Sequence, residues 1–144
     1  MQGFPHHYHV SATAAPESTV TVSGAGLPDL ATMPPPEFGG PEGHWSPETL
    51  LAASVADCFI LTFRAIAAAS KLPWTDLSCA VEGTLDRVEG VTRFTKFDIK
   101  ASLVVPAGTD HEKADRILHK SEAACLITAS LATENHLETT ITDG

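Results

Sequence analysis

Lysine and arginine are absent from the first 63 residues of this 144-residue chain. All nine basic residues lie between Arg64 and Lys120, and 18 acidic residues bring the formal net charge to −9. Such a charge argues against a phosphate backbone or an anionic membrane surface as the main partner. We therefore expect neither nucleic acid nor a membrane as a partner. Histidine is the only positive side chain available to the early segment, where four of the seven histidines lie: His6, His7, His9 and His44.

Cysteine is also scarce, with only Cys58, Cys79 and Cys125 present. An odd, widely spaced set argues against a small secreted disulfide scaffold, and no CxxC or other metal-ligand spacing occurs. The chain shows no early basic region followed by an apolar run, so we expect no signal peptide. These features favour a cytoplasmic protein whose thiols are reduced at rest.

One apolar stretch, residues 50–69, is long enough to be tested as a membrane span. It contains Asp57 and Arg64, each of which costs about 2.5–3.5 kcal/mol at a bilayer centre. We expect instead a helix buried on most sides within protein. A chain of this length has too few other elements to cover such a helix, which predicts a homodimer with a two-fold interface.

Alternating polar and apolar residues, bounded by glycine and proline, predict a single α+β domain over residues 1–144 with the order ββ–α–ββ–α–β. Residues 7–13 and 19–23 alternate as a first hairpin, with Tyr8, Val10 and Ala12 on its half-buried side. Residues 24–45 hold five glycines and five prolines, which is typical of a functional loop or an interface arm.

Helix and turn signals define the rest of the chain. Ser46 and Pro47 predict a helix start, and the helix should continue to about Ser70. Residues 77–85 and 97–105 alternate as a second hairpin around a turn near residues 89–90. Asp110 is a plausible cap for a second helix over residues 111–131, and residues 137–141 suggest a closing strand.

The cysteines divide by position. Cys79 falls on the apolar side of its strand, which predicts a place in the core. Cys58 and Cys125 fall in the two predicted helices, where a structural role and a redox role are both open. A redox role requires a thiolate stabilised by a cation, a hydrogen-bond donor or a helix N-terminus, and a second thiol within reach.

The early histidines raise the question of a metal site. His7 and His9 share a strand face and His6 precedes them, but no further ligand stands at a suitable spacing. We interpret these side chains as solvated and expect no metal site.

Two motifs around the cysteines are similar to those of a known family. Residues 38–58, FGGPEGHWSPETLLAASVADC, resemble the first cysteine motif of the OsmC/Ohr family, and residues 122–127, EAACLI, resemble the second. The order of elements also matches from about Tyr8 onward. The resemblance implies two central cysteine-bearing helices packed on antiparallel sheets, in an intertwined homodimer with its sites at the subunit interface.

The same resemblance implies a thiol-dependent peroxidase that reduces organic hydroperoxides. By position, Cys58 corresponds to the peroxidatic thiolate, Cys125 to the resolving thiol and Glu48 to a carboxylate that organises the site. The chemistry ends in a Cys58–Cys125 disulfide, which a lipoylated protein or a small thiol must reduce. No metal or tightly bound cofactor is needed.

The chain departs from the family at one point. Peroxidases of the family carry an early arginine that pairs with the glutamate and stabilises the thiolate, whereas no arginine precedes Arg64 here. His44 and Arg64 are the candidate replacements, together with His7 or His9 from the first strand. The departure motivates an alternative function, in which an OsmC-like protein without this catalysis binds a small apolar ligand at the dimer interface.

Overall fold

The computed structural model describes residues 1–144, which form two compact units, Met1–Leu50 and Leu51–Gly144. The first unit contains a small antiparallel sheet of three strands in the order β1-β2-β3. Its strands are β1 (Ser11–Thr13), β2 (Val20–Ser23) and β3 (Leu30–Thr32). The first hairpin is therefore present, but β1 is shorter than predicted and its residues are exposed.

The predicted loop over residues 24–45 contains structure that the sequence pattern did not indicate. It supplies β3 and a single 3₁₀ turn, Pro36–Phe38. Beyond that turn, the Met33 N–H donates to the Trp45 carbonyl at 3.0 Å, which ties the end of the segment back to β3. The glycine and proline content of this segment correctly predicted irregular structure. It did not identify the short strand β3 within the segment.

The first helix, α1 (Pro47–Ala69), begins where the sequence predicts. The Ser46 hydroxyl accepts from the Thr49 N–H at 3.1 Å, and the Ser46 N–H donates to the Thr49 hydroxyl at 2.9 Å. These reciprocal bonds satisfy two backbone donors at the helix start, with threonine in the place usually taken by glutamate or glutamine. The helix ends before Lys71, whose φ of 54° is left-handed.

The second unit contains a three-stranded sheet in the order β4-β5-β6, with β4 (Asp76–Val88), β5 (Val91–Val105) and β6 (Glu134–Asp143). Strands β4 and β5 form the predicted hairpin, and its two-residue turn has positive φ at Glu89 and Gly90. Strand β6 runs parallel to β5. This sheet is therefore mixed, and the expectation of purely antiparallel sheets was wrong for β6.

One face of this sheet forms the core of the second unit. Alternate residues of β5 are buried, whereas the residues between them are polar or partly exposed. They pack with side chains of α1 and of the next helix, α2 (His111–Ala123), in two hydrophobic clusters. The buried residues of β5 are Phe97, Ile99, Ala101, Leu103 and Val105.

The predicted second helix is divided into two. Asp110 caps α2 as expected, since its carboxylate accepts from the Lys113 N–H at 3.1 Å. The helix then stops at Ala123, and Cys125 adopts an extended conformation before a short helix, α3 (Leu126–Ala129). The expectation of one continuous helix to residue 131 was therefore wrong. No glycine or proline marks the break.

Helix α1 buries a single stripe of side chains at four-residue spacing: Val55, Phe59, Phe63 and Ala67. Its length and mean hydropathy of 1.8 would suit a membrane span. Within the chain, only 22% of its most apolar 18-residue stretch is buried. Leu61, on another side of the helix, is 50% exposed. The expectation that α1 is buried on most sides is therefore not met within one chain.

The stripe on α1 is expected to carry much of the stability of the second unit. Phe63 is fully buried and packs edge-on against Trp74, with ring centroids 5.3 Å apart. Replacing a buried phenylalanine by alanine removes apolar contact and leaves a cavity, so Phe63→Ala should cost about 3–5 kcal/mol of unfolding free energy. Chemical denaturation at fixed protein concentration measures it. Phe4→Ala, at a 91% exposed position, is the control and should change the value by less than about 0.5 kcal/mol.

Candidate active site

Three free cysteines lie within the second unit. Cys58 is half-buried in the middle of α1, next to the fully buried Phe59. Cys125 is 1% exposed and lies at the junction between α2 and α3. Cys79 lies on β4 with its side chain towards the core, as the alternation predicts. Cys58 and Cys125, the two cysteines that the sequence motifs single out, lie close enough to affect each other's pKa.

Several groups act on the pKa of the Cys58 sulfur. Hydrogen bonding from the backbone of Ile127 and Leu126 and from the Cys125 side chain acts to lower it. The Thr62 hydroxyl, one helical turn after Cys58, lies 3.8 Å from the sulfur. Backbone, thiol and hydroxyl donors therefore converge on one sulfur atom without a cation among them.

Burial and hydrogen bonding together determine the pKa values of Cys58 and Cys125. Burial acts to raise the pKa of Cys58, but the hydrogen bonds from Ile127, Cys125, Thr62 and Leu126 outweigh it and hold the pKa below its ordinary value. The pKa of Cys125 is raised by burial, and its hydrogen bond to Cys58 adds to this effect. The pKa of Cys58 is thus lowered and that of Cys125 is raised, which makes Cys58 the more acidic thiol of the pair.

Cys79 has a different electrostatic environment. Burial raises its pKa to about 11, and the neighbouring Cys125 adds to the increase. A thiol with such a pKa is almost fully protonated at neutral pH, and the protonated form is a poor nucleophile. Cys79 is therefore a core residue close to Cys125.

The candidate cations do not contact the Cys58 sulfur within the second unit. Arg64 is exposed and forms no ion pair. Six residues of helix separate it from Cys58, which amounts to about 9 Å along the axis. In the first unit, His44 is exposed and its Nδ1 lies 3.3 Å from the Glu42 carbonyl oxygen. His7 and His9 are exposed as well.

Glu48 lies in the first turn of α1, where its charge complements the helix dipole. Its Oε2 atom is buried and has no hydrogen-bond partner. Because α1 is continuous, ten residues separate Glu48 from Cys58 on one helix, which corresponds to about 15 Å along its axis. A break in the helix, which would shorten this separation, does not occur.

Glu48 also contributes to an apolar pocket of about 560 Å³ within the first unit. The pocket is lined mainly by hydrophobic side chains of the small sheet and of the loop that follows it, including Val20, Val22, Met33 and Phe38. No group of three or more histidine, cysteine or acidic side chains in the structure is arranged to hold a metal ion.

The sequence analysis missed the donors that surround Cys58. Thr62 stands four residues after the cysteine, a spacing that places two side chains on the same helix face and could have identified it. The backbone N–H groups of Leu126 and Ile127 carry no such signal. They have no partner within a helix because they lie in the first turn of α3, which begins just after Cys125. No residue type at this position indicates the break between α2 and α3.

Comparison with known protein families gives a consistent result. The family model described as "OsmC-like protein" matches residues 39–140. Among curated proteins, Peroxiredoxin OsmC of Escherichia coli (strain K12) is 29% identical over 101 residues, covering 70% of this chain and 69% of that protein. Uncharacterized protein YmaD of Bacillus subtilis (strain 168) is 25% identical over 131 residues, covering 88% and 87%.

Solved structures show the same fold. An OsmC-like protein of unknown function from Vibrio cholerae aligns with a TM-score of 0.86 at 19% identity, covering 94% of this chain and 100% of that one. An organic hydroperoxide resistance protein OsmC from Legionella pneumophila aligns with a TM-score of 0.77 at 24% identity, covering 94% and 99%. The predicted α+β fold of the OsmC type is confirmed.

The order of the three pKa values can be tested by alkylation. Thiolates react with iodoacetamide and thiols do not, so each rate rises with pH through the pKa of its cysteine. Cys58 should reach half its maximal rate at a pH below the ordinary value for a cysteine, and Cys125 at a pH above it. Cys79 should titrate near 11. Peptide mass spectrometry resolves the three sites.

The denatured protein is the control for this measurement, since unfolding removes the burial and the hydrogen bonds. All three cysteines should then titrate near about 8.5. A Cys58 midpoint at or above that value in the folded protein would contradict the assignment of the thiolate.

Proposed function

The chain belongs to the OsmC-like protein family, and we propose that it is a thiol-dependent peroxidase that reduces organic hydroperoxides through Cys58 and Cys125. The observation that carries this proposal is the position of Cys58, which lies 3.8 Å from the Thr62 hydroxyl and close enough to Cys125 for hydrogen bonding to lower its pKa. The names of two similar proteins, a peroxiredoxin and an organic hydroperoxide resistance protein, support the same chemistry.

The first step is attack of the Cys58 thiolate on the hydroperoxide ROOH. A sulfur–oxygen bond forms, the oxygen–oxygen bond breaks, and the alkoxide leaves and takes up a proton to become the alcohol. Cys58 is oxidised to sulfenic acid. A sulfur with a lowered pKa is present as thiolate at neutral pH, which this step requires.

The second step joins the two cysteines. The Cys125 sulfur attacks the sulfenic acid, water leaves, and a Cys58–Cys125 disulfide forms. The contact between the two side chains favours this closure over further oxidation of Cys58. A dithiol, carried by a lipoylated protein or supplied as a small thiol, then reduces the disulfide by exchange and restores both thiols.

We also propose that the active form is a homodimer in the cytoplasm. The exposed apolar side of α1, where Leu61 is 50% exposed, supports this because water would otherwise face a largely hydrophobic helix. The position of Glu48 supports it as well. With about 15 Å of continuous helix between Glu48 and Cys58 of its own chain, we place its carboxylate beside Cys58 of the partner subunit.

A second candidate function is binding of a small apolar molecule without peroxide reduction. The apolar pocket of about 560 Å³ in the first unit favours it. Glu48 is one of its lining residues and has a buried Oε2 atom without a hydrogen-bond partner, and an unpaired buried acceptor is costly. A ligand with an apolar body and a hydrogen-bond donor would match both features.

The peroxidase proposal predicts a specific disulfide. A slight excess of cumene hydroperoxide should consume two of the three thiols, and mass spectrometry of non-reduced peptides should find Cys58 joined to Cys125. In Cys125→Ser the reaction should stop at sulfenic acid, which dimedone traps, because no resolving thiol is present.

The remaining cysteine provides a matched control. Cys79→Ser should form the disulfide as the natural protein does, whereas Cys58→Ser should not react, since it lacks the attacking sulfur. Survival of all three thiols in the natural protein would end the peroxidase proposal. Survival together with an apolar molecule in native mass spectrometry would favour the second candidate.

The dimer proposal predicts that a charge on the exposed side of α1 disrupts assembly. Leu61→Glu should shift the mass measured by light scattering at micromolar concentration from two chains to one, because the carboxylate would be buried in the interface. Val91→Glu is the control, since Val91 is 58% exposed at the β4–β5 turn, away from α1. A natural protein that scatters as one chain contradicts the proposal.

A further inference from the structure

The Thr62 hydroxyl has an unusual partner for a threonine inside a helix. Serine and threonine hydroxyls in helices commonly donate to a backbone carbonyl three or four residues earlier. Those of Thr49, Ser54, Ser121 and Thr128 do so in this structure, at 2.6–3.3 Å. Thr62 does not, and its hydroxyl lies 3.8 Å from the Cys58 sulfur instead.

This arrangement leaves the hydroxyl hydrogen available to the sulfur. A thiolate carries no hydrogen and only accepts, so the direction of the bond is fixed once Cys58 is deprotonated. Thr62 belongs to the same helix as Cys58 and follows it by one turn, which holds the two side chains on one face. Helix α1 therefore carries both the sulfur and a donor directed at it.

We propose that Thr62 is a hydrogen-bond donor to the Cys58 thiolate, and that it supplies part of the stabilisation for which this chain has no early arginine. The inference rests on the proposed function in treating Cys58 as the reactive sulfur. It adds a residue to the site that acts by contact with the reacting atom. Since the donor is uncharged, its effect persists at high ionic strength, unlike that of an exposed cation.

The test is the pH dependence of Cys58 alkylation in Thr62→Val. Valine keeps the shape of threonine and removes only the donor. A hydrogen bond to a charged group corresponds to about one pKa unit, so the midpoint should rise by about 0.5–1 unit. At pH values below the midpoint the alkylation rate should fall about 3–10-fold, while the plateau rate at high pH should change little.

Two further variants separate donation from packing. Thr62→Ser retains a hydroxyl and should recover at least half of the shift, whereas Thr62→Ala should behave as Thr62→Val does. Thr140→Val, at an exposed position on β6, is the matched control and should leave the midpoint unchanged. Circular dichroism and melting temperature establish that each variant is folded.

The outcomes distinguish this inference from the peroxidase proposal, since alkylation requires no peroxide. A midpoint that moves in Thr62→Val and returns in Thr62→Ser supports the role of Thr62, whether or not cumene hydroperoxide oxidises the protein. A midpoint that stays within about 0.2 unit in folded Thr62→Val and Thr62→Ala overturns it, even if the disulfide forms normally. Equal shifts in Thr62→Val and Thr62→Ser overturn it as well.

Discussion

The packing of one stripe of α1 on the second unit's sheet is the constraint on which the candidate site depends. Val55, Phe59, Phe63 and Ala67 are all fully buried, and together they fix the rotation of the helix about its axis. Cys58 directly precedes one of these residues, so its direction is determined by the core and not by contacts of its own. A rotation of α1 by even one residue would turn the sulfur away from Cys125 and would expose a phenylalanine.

In the proposed mechanism, several weak donors take the place of one strong cation. An arginine can lower a thiol pKa from a distance, because its charge acts through space. Hydroxyl and backbone N–H donors act only at contact, so each must be held in place by the fold. Here the break before α3 positions two backbone donors and α1 positions Thr62. The proposed chemistry would therefore depend on backbone geometry to a degree that a charge-based site does not.

Sequence reasoning predicted the features that local signals determine. The caps at Ser46 and Asp110 and the turn at residues 89–90 follow from residue types within a few positions, and the structure confirms them. The motifs also identified the family and the two cysteines that meet. The homodimer, the cytoplasmic location and the roles of the site residues remain predictions.

What the sequence did not indicate depends on tertiary contacts. Residues 122–127 contain no glycine or proline, so nothing local ends the helix at Cys125. The parallel pairing of β6 with β5 is likewise a property of the assembled sheet. The donors to Cys58 follow from that helix break, and for this reason a search for a cation among the histidines and Arg64 did not find them.

Hydrogen bonding with Cys125 would have a kinetic consequence in the proposed cycle. The residue that lowers the pKa of Cys58 is also the one that would close the disulfide, so each turnover would remove this stabilisation. In the proposed cycle, an oxidised molecule holds neither the nucleophile nor this donor until a reductant restores both at once. The fraction of chains in the reduced state would therefore follow the balance between peroxide supply and reductant supply. The oxidation state of Cys58 and Cys125 would report that balance.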